Sequence, residues 1–239
     1  CLSRGRGDVY KRQEYGLLNH RPAAGFDPSF IVLSTLDLAV DSIYNRGADI
    51  ALQIRRMAFT ERSGLTVSDM TGDIGMDASG ISLAGVTLKT PFSRIEANIS
   101  AGEGILALAP DSPLKAALTA DVNTKDLKYL YPALIPPVLD GRIVSLALTA
   151  AGTLGDIGKA GLDISSPGHV AFTADGAARN VLDPGRMEAS ARFEGDFRDM
   201  AFLEALLPDS ALRRRIAIPD RIRLHGTAGA YKGAFSAPS

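Results

Sequence analysis

Residues 126–156 read DLKYLYPALIPPVLDGRIVSLALTAAGTLGD. The stretch opens on a short helix-forming piece. Leu127, Leu130, Tyr131 and Leu134 fall at i, i+3, i+4 and i+7 and form one apolar stripe. Asn123 and Thr124, just before it, are residue types whose side chains satisfy free N–H groups at a helix start. Pro132, Pro136 and Pro137 keep the helix short. Gly141 then releases the chain into a strand, where Val144, Leu146 and Leu148 alternate with Ser145, Ala147 and Thr149. Gly152-Thr153 is read as a turn. A looser copy, DMAFLEALLPDSALRRRIAIPDRIRLHGTAG, begins at Asp199. Asp126 aligns with Asp199 and Gly152-Thr153 with Gly226-Thr227, at offsets of 73 and 74 residues. A unit recurring at such a spacing points to an array in which each unit leans on the next.

The chain upstream supplies the rest of the sheet. Ile31 to Tyr44 reads as one long strand or a strand pair, closed by a turn at Asn45-Arg46-Gly47. Ile50, Leu52 and Ile54 share one parity and Met57 and Phe59 the other, so a bulge is expected near Arg55-Arg56. Ile81 and Leu83 against Val86 and Leu88 place a second bulge at Gly85. Ile95, Ala97 and Ile99 alternate, as do Leu114, Ala116, Leu118, Ala120 and Val122. Shorter strands follow at Leu162–Ile164, Val170–Phe172, Met187–Phe193 and Ile222–Leu224, with a second helical piece over 200–216. Turn signals recur every 10 to 16 residues or so, with period 2 between them. The pattern predicts a mostly β fold: a long antiparallel meander sheet, repeat-built, with two short helical insertions. Ten or more strands must twist, curl or close. The sheet is expected either to fold over as a sandwich or, as the leading reading, to curl into a groove or trough.

The first 13 residues are set aside. Asp8–Gln13, DVYKRQ, matches the translation of a transposon end used as a sequencing adaptor, so 1–13 is expected to be an artefact. This removes Cys1, the four bases Arg4, Arg6, Lys11 and Arg12, and Asp8, leaving 22 basic and 26 acidic side chains, net −4. The expected layout is a linker-like lead over 14–29, a β-meander over 30–123, and a second β segment over 124–239. That last segment divides into units 124–197 and 198–239, the second cut short. Mixed charges of this balance argue against nucleic-acid binding. Without native cysteines, disulfides and thiolate metal sites are excluded. Apolar residues make up 46% of the chain, enough for a folded core. No run reaches the roughly 18–20 apolar residues of a membrane helix, so any anchor is expected outside this stretch.

No catalytic constellation emerges. His20, His169 and His225 lie far apart and lack a nucleophile or metal-pair motif. Asp69, Asp73 and Asp77 recur every four residues but fall in strand and turn, without the pattern of a calcium loop. No metal, cofactor or catalytic residue is assigned. Arg213, Arg214 and Arg215 form a basic cluster at a helix end, a candidate headgroup or partner contact beside its plain role of favouring the helix C-terminus. Leu118, Val144, Leu146, Leu148 and Phe172 are candidates for core or for groove lining.

Two phrases resemble the AsmA-like envelope proteins of Gram-negative bacteria, and within them the TamB (translocation and assembly module) family as it occurs in Bacteroidetes-type bacteria. One is residues 36–97, with ERSGL at 61–65 and TPFS at 90–93. The other is residues 126–157, with the L-x-L-x-x-x-G-T-L element of 146–154. The resemblance implies a long sheet rolled lengthwise into a trough with an apolar interior. It implies a periplasmic location in a protein held by an inner-membrane helix, an outer-membrane assembly barrel protein as partner, and phospholipid acyl chains in the trough. The family brings no catalytic motif. The function expected is therefore non-enzymatic, in outer-membrane protein assembly, lipid transport between membranes, or both. The rival reading is a secreted or surface β-sandwich binding module or adhesin. The absence of Trp and the low aromatic content, 6%, weigh against sugar stacking by such a module.

Overall fold

A computed structural model describes residues 12–16, 25–27, 29–47, 49–78, 80–102, 109–131, 140–199, 219–231 and 234–236. The strands before the helix are β1 (Arg12–Gly16), β2 (Phe30–Arg46), β3 (Asp49–Glu61), β4 (Thr66–Asp77), β5 (Gly80–Lys89), β6 (Arg94–Gly102) and β7 (Pro113–Asn123). Helix α1 (Thr124–Leu130) follows. Then come β8 (Ile143–Thr153), β9 (Ile157–Ser166), β10 (Val170–Arg179), β11 (Glu188–Arg198), β12 (Arg221–Tyr231) and β13 (Ala234–Ser236). All thirteen strands form one sheet whose spatial order is the sequence order, every neighbouring pair antiparallel. The mostly β meander expected from period-2 alternation is the observed architecture. Residues 31–44 belong to a single long strand, β2. Part of the lead expected to be linker-like pairs as β1 with the start of β2. The second helical piece, Leu134 and residues 213–215 lie outside the described residues.

The sheet is open and uncurled, with β1 and β13 at its edges. This corrects the expected lengthwise roll. A roll or a fold-over would press apolar side chains of distant strands together and bury them. Among the described residues, only Val32, Ile54, Val67, Ala97, Ala120 and Ala230 are buried apolar residues, while Leu38, Ile43, Leu148 and Leu224 are exposed.

Bulges hold the layer in phase. The β2–β3 register shifts between Ala39 and Val40, and β3–β4 between Ile54 and Met57, which places the expected bulge at Arg55-Arg56. The second bulge falls between Leu83 and Val86 in the β5–β6 ladder. Gly85 there has φ +58°, and its N–H donates to the side-chain oxygen of Asn98 at 2.8 Å. Each bulge adds the residue that returns the next aliphatic pair to the same side of the sheet.

One end of the sheet is locked by a polar rim. Asp27, Glu61, Ser93, Asn123, Thr124, Asp126 and Ser166 are buried, and the strand directions bring all of them to the end that carries α1. Asn123 caps the helix, its side chain accepting from the Lys125 N–H at 3.0 Å, as the sequence predicts. Asp126 does more than open the helix-forming stretch. Its Oδ2 accepts from Thr90 Oγ1 and Ser93 Oγ, each at 2.5 Å, while Ser93 Oγ accepts from the Asn123 N–H at 2.9 Å. The β5–β6 turn is thereby tied to the β7–α1 junction. The same junction meets the entry to β8 through Thr124 N–H to the Arg142 carbonyl, 2.9 Å.

Removing either side chain of this junction tests its weight. Asp126→Ala leaves the Thr90 and Ser93 hydroxyls without this acceptor and is expected to cost about 1–3 kcal/mol. Asn123→Ala removes the side-chain cap but keeps the backbone N–H that meets Ser93 Oγ; it is expected to cost about 1 kcal/mol, and the pair to combine non-additively because the cap and the Asp126 clamp share the first turn of α1; urea midpoints of the two singles and the double decide this. The register has a test of its own. Gly80 has φ +140°, and a Cβ there would strike the Ala101 carbonyl oxygen. Gly47, at φ +65°, has nothing within 4 Å of that position. Gly80→Val should lose more than about 3 kcal/mol and Gly47→Asn only a few tenths; equal losses in urea unfolding would contradict the register described.

Candidate functional site

The feature with chemical content is one whole face of the sheet. Cross-strand partners lie on the same side of a sheet, so a row of partners can be followed from strand to strand. One row runs Leu38, Met57, Met70, Leu88, Ile95 and Ala120 from β2 to β7. It continues Leu146, Ile164, Phe172, Gly195 and Leu224 from β8 to β12. No polar residue interrupts it across eleven strands. A second row on the same face, Ile43, Leu52, Ile74, Leu83, Ile99, Ala116, Ala150, Ala160, Gly176, Ala191 and Ala228, also holds no polar residue. Eleven strands at about 4.8 Å spacing make the face roughly 50 Å wide.

All five residues expected as lining stand on this face. Leu118 pairs with Leu148, Ala120 with Leu146, Val122 with Val144, and Ile164 with Phe172. They are half-buried, apart from Leu148, which is 40% exposed. Packing within the layer covers them in part and no second layer completes the burial. In the second row the side chains shrink to Ala and Gly from β7 onward, while an aromatic group stands on β10 and β11. The Phe172 ring lies 6.5 Å from that of Phe193 and 6.3 Å from that of Phe197. Gly195 and Gly226 leave room for these rings: a Cβ at Gly195 would sit 2.6 Å from Phe197 and at Gly226 3.3 Å from Phe193.

The opposite face is polar and self-compensated. Asp69, Lys89, Arg94, Asp121, Ser145 and Ser165 form one row. Lys89 approaches Asp69 at 3.5 Å, and Ser145 donates to Asp121 at 2.5 Å. On β11 and β12 the hydrogen bonds from Arg221, and then from Arg198, hold the Asp196 carboxyl well below the usual carboxylate range.

The remaining candidates show no assembled chemistry. Asp69, Asp73 and Asp77 point from the polar side of β4 at intervals of about 13 Å, too far apart to share an ion. Among the described residues no group of three or more His, Cys, Asp or Glu could hold a metal. His169 Nδ1 lies 3.4 Å from Asp199 Oδ2 at the α1 end, while His225 sits opposite Glu194 on the polar face. His20 and the Arg213, Arg214, Arg215 cluster fall outside the described residues. The aligned Gly-Thr pairs are not equivalent in place: Gly152-Thr153 ends β8, whereas Gly226-Thr227 lies mid-strand in β12. Sequence reasoning overlooked the Asp126 clamp, although Thr90-Pro91 and Asn123-Thr124 marked the two segments it joins. Among the described residues no helix is long and apolar enough to cross a membrane.

Comparisons with protein-family models, with curated proteins and with solved structures return no match.

The Asp196 cluster carries a pH prediction. A carboxyl whose pKa is lowered in the fold contributes stability that is present at neutral pH and lost as pH falls below its unfolded value. Asp196→Asn should therefore narrow the gap between urea midpoints at pH 7 and pH 3. An unchanged gap would show that the exposed cluster contributes nothing.

Proposed function

We propose that this chain is a passive, non-enzymatic β-sheet segment of an AsmA-like, TamB-type envelope protein. In this reading it works in the periplasm, supporting outer-membrane protein assembly, phospholipid transport between membranes, or both. The observation that carries the reading is the pair of apolar rows that cross eleven strands without a polar residue. Acyl chains laid on such a face gain about 0.8 kcal/mol per CH₂ kept from water. Headgroups remain in water at the rim. The face demands no specific polar partner, which suits a ligand recognised by its hydrocarbon alone. A wholly covered trough is not required, since one apolar face already shields one side of a chain. The resemblance of residues 36–97 and 126–157 points the same way. The rival reading as a β-sandwich binding module finds no second sheet among the described residues.

The test is site-specific photo-crosslinking. A benzophenone side chain placed at Leu148 or Leu224, in chain produced in the periplasm of a Gram-negative host, is expected to yield phospholipid adducts by mass spectrometry. The same probe at Thr149 or Asp163, on the other face, is expected to yield none. Leu148→Asp should reduce adduct formation from Leu224, and Thr149→Asp should leave it unchanged. Equal labelling of the two faces, or adducts with protein alone, would sink the proposal.

A further inference from the structure

Two junctions at the α1 end are built alike. In the first, the β5–β6 turn meets the end of β7. The Asn123 N–H donates to Ser93 Oγ, and the next N–H, of Thr124, donates to the Arg142 carbonyl at 2.9 Å, just before β8. In the second, the β9–β10 turn meets the end of β11. The Arg198 N–H donates to the His169 carbonyl at 2.7 Å, and the next N–H, of Asp199, donates to the Asp220 carbonyl at 2.8 Å, just before β12. The ladders agree: Asn123 with Ile143 and Arg198 with Arg221 are the last pairs of their strands. Asp199 thus stands where Thr124 stands in the first junction, two residues before the place of Asp126.

Each junction sets one carboxylate against its turn, but the donors differ. Asp126 is buried and accepts from the hydroxyls of Thr90 and Ser93. A hydroxyl carries its proton throughout the range where proteins fold. Asp199 Oδ2 lies 3.4 Å from His169 Nδ1, and that nitrogen is sealed from solvent without a hydrogen bond. An imidazole nitrogen donates only while it holds a proton, and the imidazolium alone holds one on both nitrogens. The other charges near His169 are already engaged. Asp196 and Arg198 line the same recess from β11, and Arg221 reaches Asp196 from β12. Ser166 on β9 and Val170 and Ala171 on β10 bring no charge to it. Asp220 meets Asp199 through its backbone carbonyl. The carboxylate left to His169 is that of Asp199.

We propose that His169 and Asp199 form an acid-closed latch. Protonation of the imidazole gives Nδ1–H a charge-assisted bond to the Asp199 carboxylate. The bond ties the β9–β10 turn to the end of β11 and, through the Asp199 N–H, to the entry of β12. The first junction is closed by hydroxyls whatever the pH, while the second tightens as pH falls through the range in which histidines titrate. The inference concerns this junction and stands apart from the use of the apolar face.

The test compares two amides of the full chain that hold the same place in the two junctions, Thr124 and Asp199. Hydrogen exchange of each is followed by NMR at pH 7.5 and pH 5.5 and corrected for the intrinsic rate at each pH. Protection at Asp199 is expected to rise roughly two- to fivefold in acid relative to Thr124, the range of a partly exposed ion pair. His169→Gln keeps a side-chain donor without the titration and should abolish the rise. Asp199→Asn should abolish it too, while the His169 ring still titrates. Asp196→Asn should leave it in place, and unchanged protection at Thr124 shows that each variant is folded. No rise at Asp199, an equal rise at both amides, or a rise that survives His169→Gln or Asp199→Asn would overturn the latch. Loss of the rise in Asp196→Asn alone would overturn it as well, by making Asp196 the partner.

Discussion

Phase is the constraint on which this structure depends. Side chains alternate along a strand, so one slipped residue sends a strand's aliphatic set to the wrong face. Across ten successive ladders, from β2 to β12, no such slip survives. Where the sequence changes parity, at Arg55-Arg56 and at Ala84-Gly85, the backbone absorbs the extra residue and the rows continue. The same control of parity makes the other face a lattice of ion pairs and hydroxyls. A single layer can persist in water because each face satisfies a different requirement. The polar face is solvated and compensated, and the apolar face lowers its exposure by lateral packing of neighbours, at about 0.2–1 kcal/mol per cross-strand pair.

The ends of the strands are treated differently from the faces. At the α1 end, buried carboxylates and hydroxyls bind turns to one another, with Asp126 tying the β5–β6 turn to the start of the helix. At the other end the ties are mostly backbone. Gly155 N–H reaches the Pro110 carbonyl at 2.6 Å, Leu154 N–H reaches the Ser112 carbonyl, and Asn180 N–H reaches the Asp156 carboxylate. Hydrogen bonds at both ends limit shear between strands, which apolar contacts alone do not resist because they lack direction.

Much of this was legible in residues. Alternation at Leu114–Val122 and Val144–Leu148 revealed strands, the parity breaks near Arg55 and at Gly85 revealed bulges, and Asn123 revealed the helix cap. The lining residues were legible as one side of their strands, since period 2 assigns a side without any knowledge of neighbours. Openness was not legible. Whether Leu118 and Leu148 meet a second layer depends on what lies above the sheet, and a strand's own pattern is the same in either case. The Asp126 clamp escaped because its partners, Thr90 and Ser93, sit in a turn 36 and 33 residues away. The apparent equivalence of the two Gly-Thr pairs rested on letters. In the ladder, one glycine closes a strand and the other makes space for the Phe193 ring.

Because spatial order equals sequence order, every ladder joins segments that follow one another along the chain. Loop-closure entropy is then small at each step, and pairing can proceed as each strand becomes available. Growth from the first strand needs no late segment to complete an early one. The steps with the longest intervening stretches are β7 to β8 and β11 to β12, where residues 124–142 and 199–220 separate the partners. Assembly of such a sheet is thus expected to pause at those two junctions and to run quickly between them. The Asp126 clamp and the bond from Asp199 N–H to the Asp220 carbonyl, 2.8 Å, sit where each pause would end.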